Sequence, residues 1–274
     1  MASPNSISVQ QLARLIGLPD APEIVDVSID EDFQADPYLI PGARRWPHQA
    51  LDQFVPRTAT GRLILVCQKG QKLSQGAAAL LRNRGFSAEY LEGGNFGWRD
   101  GGLPRVDAQV IDGLGHRPTR WVTRHRPKVD RIACAWLITR FIDPAAEFLY
   151  VSPSAVEAVA EKFDAITFDI AGTRFGHHGD ECSFDALLQE FGLDYPPLNH
   201  LALLVRGADT ERLDLAPQAA GLLAVSLGLS RMYKDDNRQL DAGLSLYDAL
   251  YRWCRDAVDE THDLSGHDQP GRGK

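Results

Sequence analysis

The chain contains few cysteines, and they are far apart. Its 274 residues include four of them, with no CxxC pair, which argues against a zinc ribbon or a disulfide framework. It also lacks any apolar run near the ~20 residues that a membrane span needs. The first residues have neither the basic nor the apolar region of a signal peptide. We therefore expect a cytoplasmic protein with reduced thiols and no membrane partner.

Positive charge is in deficit. The chain has 29 lysines and arginines against 37 aspartates and glutamates, a net charge of -8. This balance opposes binding to nucleic-acid phosphates, and no helix-turn-helix pattern stands out. With 44% hydrophobic and 24% charged residues, the composition is typical of a globular protein. The length allows one large domain or two ordinary ones.

Strands and helices alternate over residues 1–105, which predicts a small α/β domain. Apolar runs predict strands at 23–27, 62–66 and 88–91, and a helix at 74–84 lies between the last two. Such alternation is typical of a parallel sheet with helices on both faces.

Glycine and proline are frequent after this domain, so we interpret residues 106–119 as a linker. Residues 120–260 then predict an α+β domain with a helical C-terminal half. Residues 261–274 have the composition of a disordered tail. The predicted elements of this second part are strands at 147–151 and 165–170 and helices at about 183–191, 197–212, 217–228 and 238–258.

Cys67 carries the sharpest chemical signal. It follows the predicted strand 62–66, at the carboxyl end where open α/β sheets bind ligands. A loop that leads into a helix offers unpaired N–H groups and the positive end of a helix dipole, and both stabilise a thiolate. Lys69 and Lys72 add positive charge. We predict that Cys67 is a reactive nucleophile.

Four segments of residues 1–105 resemble a single-domain rhodanese. They are Asp26-Val27, Ile40-Pro41-Gly42-Ala43, the loop Cys67–Lys72, and Leu91-Glu92-Gly93-Gly94 with Trp98. The resemblance implies a rhodanese-like parallel sheet. It also implies that Cys67 takes a sulfane sulfur from a small-molecule donor such as thiosulfate and passes it to a thiol acceptor. The substrate-binding residues that it implies are Asp26, Gln68, Lys69, Gly70, Gln71 and Lys72.

Two other interpretations of Cys67 stay open. A cysteine phosphatase needs an arginine six residues after its nucleophile, and position 73 is leucine, which opposes this interpretation. The other is a catalytically inactive rhodanese fold. Such a chain would be a non-enzymatic redox or chromate sensor in which Cys67 oxidises reversibly.

Residues 118–255 resemble the chromate-resistance protein family of the ChrB C-terminal type. The most specific segment is 128–138, Lys-Val-Asp-Arg-Ile-Ala-Cys-Ala-Trp-Leu-Ile. The motifs Gly176-His177-His178-Gly179 and Cys182-Ser183-Phe184-Asp185 follow in the family's order. The resemblance implies a role linked to chromate or oxidative stress, as a regulator or a detoxifying accessory.

A basic segment at the start of the second domain predicts an oxyanion site. Arg124, Lys128 and Arg131 lie before or inside the first turn of a predicted helix, whose N-terminus favours anions. The alternative is a solvated basic face that pairs with this protein's carboxylates.

Histidine and carboxylate residues of the second domain predict a site for iron, manganese or zinc. The predicted ligands are His177, His200 and Asp209, with Asp130 as a fourth group. In the alternative interpretation, His177 is a hydrogen-bonded loop residue and Asp130 caps a helix.

Overall fold

The computed structural model of the chain describes residues 5–57, 61–115 and 118–260, and all elements below belong to this part. The predicted tail 261–274 lies outside it. The strands are β1 Ser6–Ile7, β2 Glu23–Asp26, β3 Tyr38–Leu39, β4 Arg44–Arg45, β5 Arg62–Val66, β6 Ser87–Leu91, β7 Val106–Asp107, β8 Arg120–Arg124, β9 Glu147–Val151 and β10 Ile166–Thr167. The α-helices are α1 Val9–Ala13, α2 Asp30–Ala35, α3 Lys72–Asn83, α4 Gly94–Asp100, α5 Ala108–Asp112, α6 Val129–Leu137, α7 Val156–Phe163, α8 Ser183–Glu190, α9 Pro196–Asp209, α10 Ala219–Met232 and α11 Asp236–Asp256.

The first domain is built on a parallel sheet with the strand order β1-β6-β5-β2-β4. Successive side chains of β5 point to opposite faces, so Leu63 and Leu65 join one apolar cluster while Ile64 and Val66 join another. The first cluster contains residues of α3, and the second contains residues of α1 and α4. A parallel sheet with helices on both faces is thereby confirmed.

The predicted linker 106–119 contains regular structure. Strand β7 pairs antiparallel with β3, and α5 follows it directly. Val106, Ala108 and Ile111 are all buried in the main apolar cluster. Frequent glycine and proline therefore mark the tight turns around these short elements.

The second domain surrounds the buried helix α6. A three-stranded parallel sheet, β10-β8-β9, lies beside it, and α8, α9 and α11 pack around it. Trp136 is fully buried at its centre, and its indole Nε1 donates a hydrogen bond to Asp248 at 2.8 Å. A π-helical turn, Ile138–Ile142, continues α6. The helical C-terminal half agrees with the helices predicted from the sequence.

The two domains share one apolar core. Ile16 and Trp98 of the first domain belong to the same buried cluster as Phe141 and Tyr251 of the second. Gly17 lies so close to the second domain that a Cβ atom there would stand 2.6 Å from a ring carbon of Tyr251. Among the described helices, none is both long and apolar enough to cross a membrane.

Candidate functional site

Cys67 follows β5 directly, at the carboxyl edge of the sheet. Its side chain faces α3, within the cluster that contains Leu65 and Ala78, and the residue is 5% exposed. Helix α3 begins at Lys72, two residues before the predicted start. The structure therefore places the thiol beneath the loop Gln68–Gln71, between a strand end and a helix start.

Backbone packing fixes the shape of this loop. Gly70 and Gly94 both have positive φ angles, and a Cβ atom on Gly94 would lie 2.0 Å from the carbonyl oxygen of Cys67. The N–H groups of Asn95 and Phe96 donate to the carbonyl oxygens of Cys67 and Gln68, each at 3.0 Å. These hydrogen bonds from the N-terminus of α4 hold the loop in place through the carbonyl oxygens of Cys67 and Gln68.

The other side of the loop offers positive charge and hydrogen-bond donors. The backbone N–H groups of Lys69, Gln71 and Lys72 have no acceptor within hydrogen-bond distance in the part of the chain that the structure describes. Both lysine side chains are exposed, and neither is paired with a carboxylate among the same residues. The loop thus has three backbone donors and two cations that are free to interact with an anion.

Ser74 is a neighbour of the thiol that the sequence analysis did not single out. Its hydroxyl oxygen lies 3.2 Å from the Cys67 sulfur and 3.3 Å from the carbonyl oxygen of Gln71, and the residue is fully buried. A hydroxyl has one proton, so it can donate to only one of these atoms at a time. When Cys67 is a thiolate, the charged sulfur is the stronger acceptor.

Asp26 has a supporting position. Its carboxylate accepts hydrogen bonds from the Ser28 N–H at 2.8 Å and from the Asn95 amide at 2.6 Å, and the residue is 2% exposed. Both oxygens are therefore used inside the protein. Asp26 positions the start of α4, and through it the cysteine loop, so the substrate-binding role that the resemblance implied does not match its contacts.

A surface cavity of about 330 Å³ opens at the same sheet edge. Ser28 and Asp30 line one side of it, after β2, and Arg45, Trp46 and His48 line the other, at the end of β4 and just after it. Because β2 is the neighbour of β5 in the sheet, the cavity and the cysteine loop share the carboxyl edge. It offers room for a small substrate or for part of an acceptor.

The second domain brings together three of its four predicted metal ligands. The imidazole Nε2 of His177 lies 3.3 Å from a carboxylate oxygen of Asp130 and 3.3 Å from one of Asp209. One ligand atom from each residue fits within a group no wider than 4.8 Å. Asp169 adds another carboxylate, 3.6 Å from the same nitrogen.

The predicted ligand His200 lies elsewhere. It belongs to α9, as does Asp209, but the two residues are nine positions apart. At 100° per residue, nine positions place side chains on opposite faces of a helix. The His200 ring packs against Trp253, with 5.1 Å between the ring centroids. His178 also points away from the group, since its Nε2 lies 3.2 Å from the Arg174 carbonyl oxygen.

Asp130 is the buried centre of the group. Its two carboxylate oxygens accept hydrogen bonds from the N–H groups of Ser183 and Phe184, at 2.8 and 2.9 Å. These donors belong to the first turn of α8, so Asp130 caps a helix other than its own. The Asp130 side chain is 1% exposed, whereas that of His177 is 40% exposed. The Asp130 side of the group is therefore buried and hydrogen-bonded, whereas the His177 side faces solvent.

The clustered carboxylates shift the pKa values of His177 and Asp209. Hydrogen bonds to Asp130 and Asp169 raise the pKa of His177 to about 10. Burial, and then the neighbouring charges of Asp130 and Asp169, raise the pKa of Asp209 to about 6. Hydrogen bonding to carboxylates thus dominates the shift of His177, whereas burial dominates that of Asp209, and the neighbouring negative charges contribute to both.

The predicted oxyanion residues do not converge. Arg131 donates to the Asp169 carboxylate at 2.7 Å, and Arg124 lies 3.4 Å from the same oxygen. Lys128 is exposed and lines a separate surface cavity with Arg126 and not with the other two residues. Asp169, which the sequence analysis did not propose as a site residue, thus binds two of the three cations. Arg124 and Arg131 are thus paired with a carboxylate, whereas Lys128 forms no ion pair among the described residues.

Two buried thiols, Cys134 and Cys182, lie next to carboxylates of this group and of α8. The sulfur of Cys134 is 3.6 Å from Asp130, and that of Cys182 is 3.2 Å from Asp185. Burial raises the pKa of each thiol well above its ordinary value. All four cysteines are free and buried, so the position of Cys67 in its loop distinguishes it.

Comparison with protein families divides the chain in the same way. Residues 8–100 match the model of the rhodanese-like domain, and residues 121–254 match that of the ChrB C-terminal domain. The protein ChrB of Cupriavidus metallidurans is 38% identical over 152 residues, which are 55% of this chain and 44% of that protein. The chain thus spans less than half the length of this curated relative.

Solved structures of rhodanese-type proteins are similar to part of this chain. Thiosulfate sulfurtransferase from Pseudomonas aeruginosa is 26% identical, with a TM-score of 0.34, over 38% of this chain and 20% of that one. A rhodanese homologue from Thermus thermophilus is 32% identical, with a TM-score of 0.27, over 33% of this chain and 95% of that one.

Proposed function

Because the chain joins a rhodanese-like domain, residues 8–100, to a ChrB C-terminal domain, residues 121–254, we propose that it is a sulfurtransferase that carries sulfur as a persulfide on Cys67. One observation carries this proposal. The thiol lies under a loop in which the N–H groups of Lys69, Gln71 and Lys72 have no acceptor among the described residues. A loop of this kind suits an anionic sulfur that extends beyond Cys67.

In the first half-reaction, the Cys67 thiolate attacks the sulfane sulfur of the donor. A new S–S bond forms at Cys67, and the donor's S–S bond breaks with its electron pair on the leaving group, which is sulfite when the donor is thiosulfate. The hydroxyl of Ser74, 3.2 Å from the attacking sulfur, donates to the thiolate before the attack. The loop N–H groups then receive the terminal sulfur of the persulfide.

In the second half-reaction, a thiophilic acceptor attacks the terminal sulfur. The S–S bond of the persulfide breaks with its electron pair on Cys67, which becomes a thiolate again. The transferred sulfur converts an acceptor thiolate into a persulfide, or cyanide into thiocyanate. Lys69 and Lys72 attract anionic donors, but an ammonium group lacks the planar fork that binds an oxyanion through two parallel bonds. We therefore propose that thiosulfate is a weaker donor than persulfides of small thiols.

The position of Leu73 favours sulfur over phosphoryl chemistry. A cysteine phosphatase clamps its substrate with an arginine six residues after the nucleophile. Here that position is Leu73, whose side chain is apolar and half-buried. The two lysines of the loop attract charge without enclosing a tetrahedral anion.

Cyanide-dependent thiocyanate release from several sulfur donors tests the proposal. The full chain is expected to turn over, and Cys67→Ala is expected to lose the activity. Lys69→Ala with Lys72→Ala is expected to raise KM for an anionic donor. Lys162→Ala, an exposed lysine of α7, is the matched control. Mass spectrometry after donor treatment should find one additional sulfur atom on Cys67.

Turnover that is absent with every donor contradicts the proposal. Reversible oxidation of Cys67 without sulfur transfer would then support a redox sensor. The two results are distinguished in one mass spectrum, since a persulfide and a sulfenic acid add different atoms.

For the ChrB C-terminal domain we propose a role in the response to chromate or oxidative stress, in which it binds an oxyanion or a metal. The similarity to the protein ChrB supports this role. We place the chemistry in the cytoplasm, where the four free thiols stay reduced. The partners are a small-molecule sulfur donor and a thiol acceptor, without nucleic acid.

A further inference from the structure

We infer that Asp130, His177 and Asp209 hold one divalent transition-metal cation, of the manganese, iron or zinc class, with coordination positions open to solvent. This inference rests on the ligand-binding role proposed for the second domain and decides between its two ligand classes. It assigns to that domain a chemistry that the sulfur reaction of Cys67 does not require.

The spacing of the ligand atoms fits a single ion. Two atoms that bind one cation at about 2.1 Å, in tetrahedral or octahedral geometry, lie about 3.0 to 3.4 Å apart. The Nε2 atom of His177 is 3.3 Å from an oxygen of Asp130 and 3.3 Å from one of Asp209. These two distances fit a shared ion, and because the three ligand atoms lie within 4.8 Å of one another, side-chain rotations would bring the Asp130 and Asp209 oxygens onto the same cation.

The charges around the group also favour a cation. Two arginines reach Asp169, and no lysine or arginine within the described ranges forms an ion pair with Asp130 or Asp209. With a neutral imidazole, these two carboxylates supply two negative charges, which balance one divalent ion. An oxyanion at the same place would be repelled by the carboxylates of Asp130, Asp169 and Asp209, so this group favours a cation over an oxyanion.

The surroundings orient the ligands. Asp130 is fixed by the two N–H groups at the start of α8, which aim one of its oxygens at His177. Such outer hydrogen bonds are typical of metal sites, where they orient the ligating group. The Asp169 carboxylate, held by Arg131 and by the Ser183 hydroxyl, closes one side.

The donor set indicates the class of metal. One imidazole nitrogen with carboxylate oxygens suits first-row ions such as manganese, iron and zinc better than magnesium or calcium, which prefer oxygen alone. The His177 and Asp209 side chains are 40% and 24% exposed, so one side of the ion would face solvent. Three protein ligands with an open side are typical of catalytic or sensing sites rather than of closed structural ones.

Manganese binding to the full chain tests this inference. Protein that has been stripped with a chelator is titrated with Mn²⁺, and the free ion is measured by electron paramagnetic resonance. One ion per chain is expected, displaced by Zn²⁺. His177→Ala and Asp209→Asn should each weaken binding by more than the ~10- to 100-fold that loss of an outer partner costs. Asp180→Asn, an exposed carboxylate of the same loop, is the matched control and should bind as the wild type does.

Three results would overturn the inference. They are no saturable Mn²⁺ binding, binding that both variants retain, and saturable sulfate or chromate binding that His177→Ala abolishes. Because His177 is partly exposed on a loop, its variant decides the matter if Asp209→Asn fails to fold. Thiocyanate release is measured on the same samples. Loss of metal binding with sulfur transfer intact separates this inference from the proposed sulfurtransferase activity.

Discussion

The guanidinium group of Arg255, in the last helix, donates a hydrogen bond to the main-chain carbonyl oxygen of Ile16 at 3.2 Å, and a second at 3.4 Å to that of Ala13. The last turn of a helix leaves such carbonyl groups without partners. Ala13 is the last residue of α1 and Ile16 lies in the turn after it, so Arg255 of α11 caps the end of the first helix.

We predict that Arg255→Ala lowers the free energy of unfolding by about 1 to 3 kcal/mol, because buried carbonyl groups lose a charged donor. Unfolding should stay a single transition, since both domains share one apolar core. Urea unfolding followed by tryptophan fluorescence and circular dichroism checks both points. Arg252→Ala, an exposed ion pair with Asp256, is the control and should cost less than about 1 kcal/mol. Two separate transitions in the wild type would contradict a shared core.

Substitution of the loop glycine Gly94 should abolish sulfur transfer. In Gly94→Ala the new Cβ would lie 2.0 Å from the Cys67 carbonyl oxygen, so the loop must move. Gly76→Ala, in α3 with open space around it, is the matched variant. It should be fully active and more stable by about 0.8 to 1 kcal/mol, from the higher helix propensity of alanine. Thiocyanate release and urea unfolding of the pair measure both effects, and an active Gly94→Ala enzyme would refute the loop geometry.

Removal of the Ser74 hydroxyl should slow the attack of Cys67 on the donor. A hydrogen bond to a charged group contributes about 1.5 to 3 kcal/mol, which predicts a kcat/KM about 10- to 100-fold lower for Ser74→Ala. Alkylation of Cys67 by iodoacetamide should slow in parallel, because the same thiolate reacts. Ser87→Ala, at the exposed start of β6, should leave both rates unchanged. Equal rates in wild type and Ser74→Ala would exclude a role for this hydroxyl.

A bound cation should stabilise the chain, and a chelator should remove the effect. At a free metal concentration 100 times Kd, binding adds about 2.7 kcal/mol to the free energy of unfolding. For a chain of this size, that corresponds to a rise in Tm of about 5 to 10 °C. Differential scanning calorimetry with Mn²⁺ should show the rise in the wild type and in Asp180→Asn but not in His177→Ala. An equal rise in all three would indicate binding elsewhere.

The parts of the structure that depend on local pattern could be predicted from the sequence. The continuous apolar run of β5 predicts a buried strand. The helical spacing of apolar residues predicts the helix after Cys67 and also α8 to α11. The short strands β3, β4 and β7 could not be predicted, since two residues carry no periodicity and form only through distant partners.

The residues of the candidate sites also differ in whether a local sequence pattern predicts them. Cys67 and its lysines are neighbours in sequence, so one loop predicts them. Ser74 was missed because the turn of a helix, rather than sequence adjacency, brings its hydroxyl to the sulfur. His200 was wrongly grouped with Asp209, because nine positions along one helix put the two side chains on opposite faces. The pairing of Arg131 with Asp169 joins segments 38 residues apart, which no local pattern reveals.

The position of Asp130 also supplies a natural probe. Its carboxylate oxygens accept hydrogen bonds from the backbone N–H groups of Ser183 and Phe184. An ion that draws electron density from this carboxylate therefore weakens both hydrogen bonds at once. The nitrogen and proton resonances of these two amides should therefore shift together on titration with diamagnetic Zn²⁺, and their exchange with deuterated solvent should change. The first turn of α8 thus reports the occupancy of the site without an attached label.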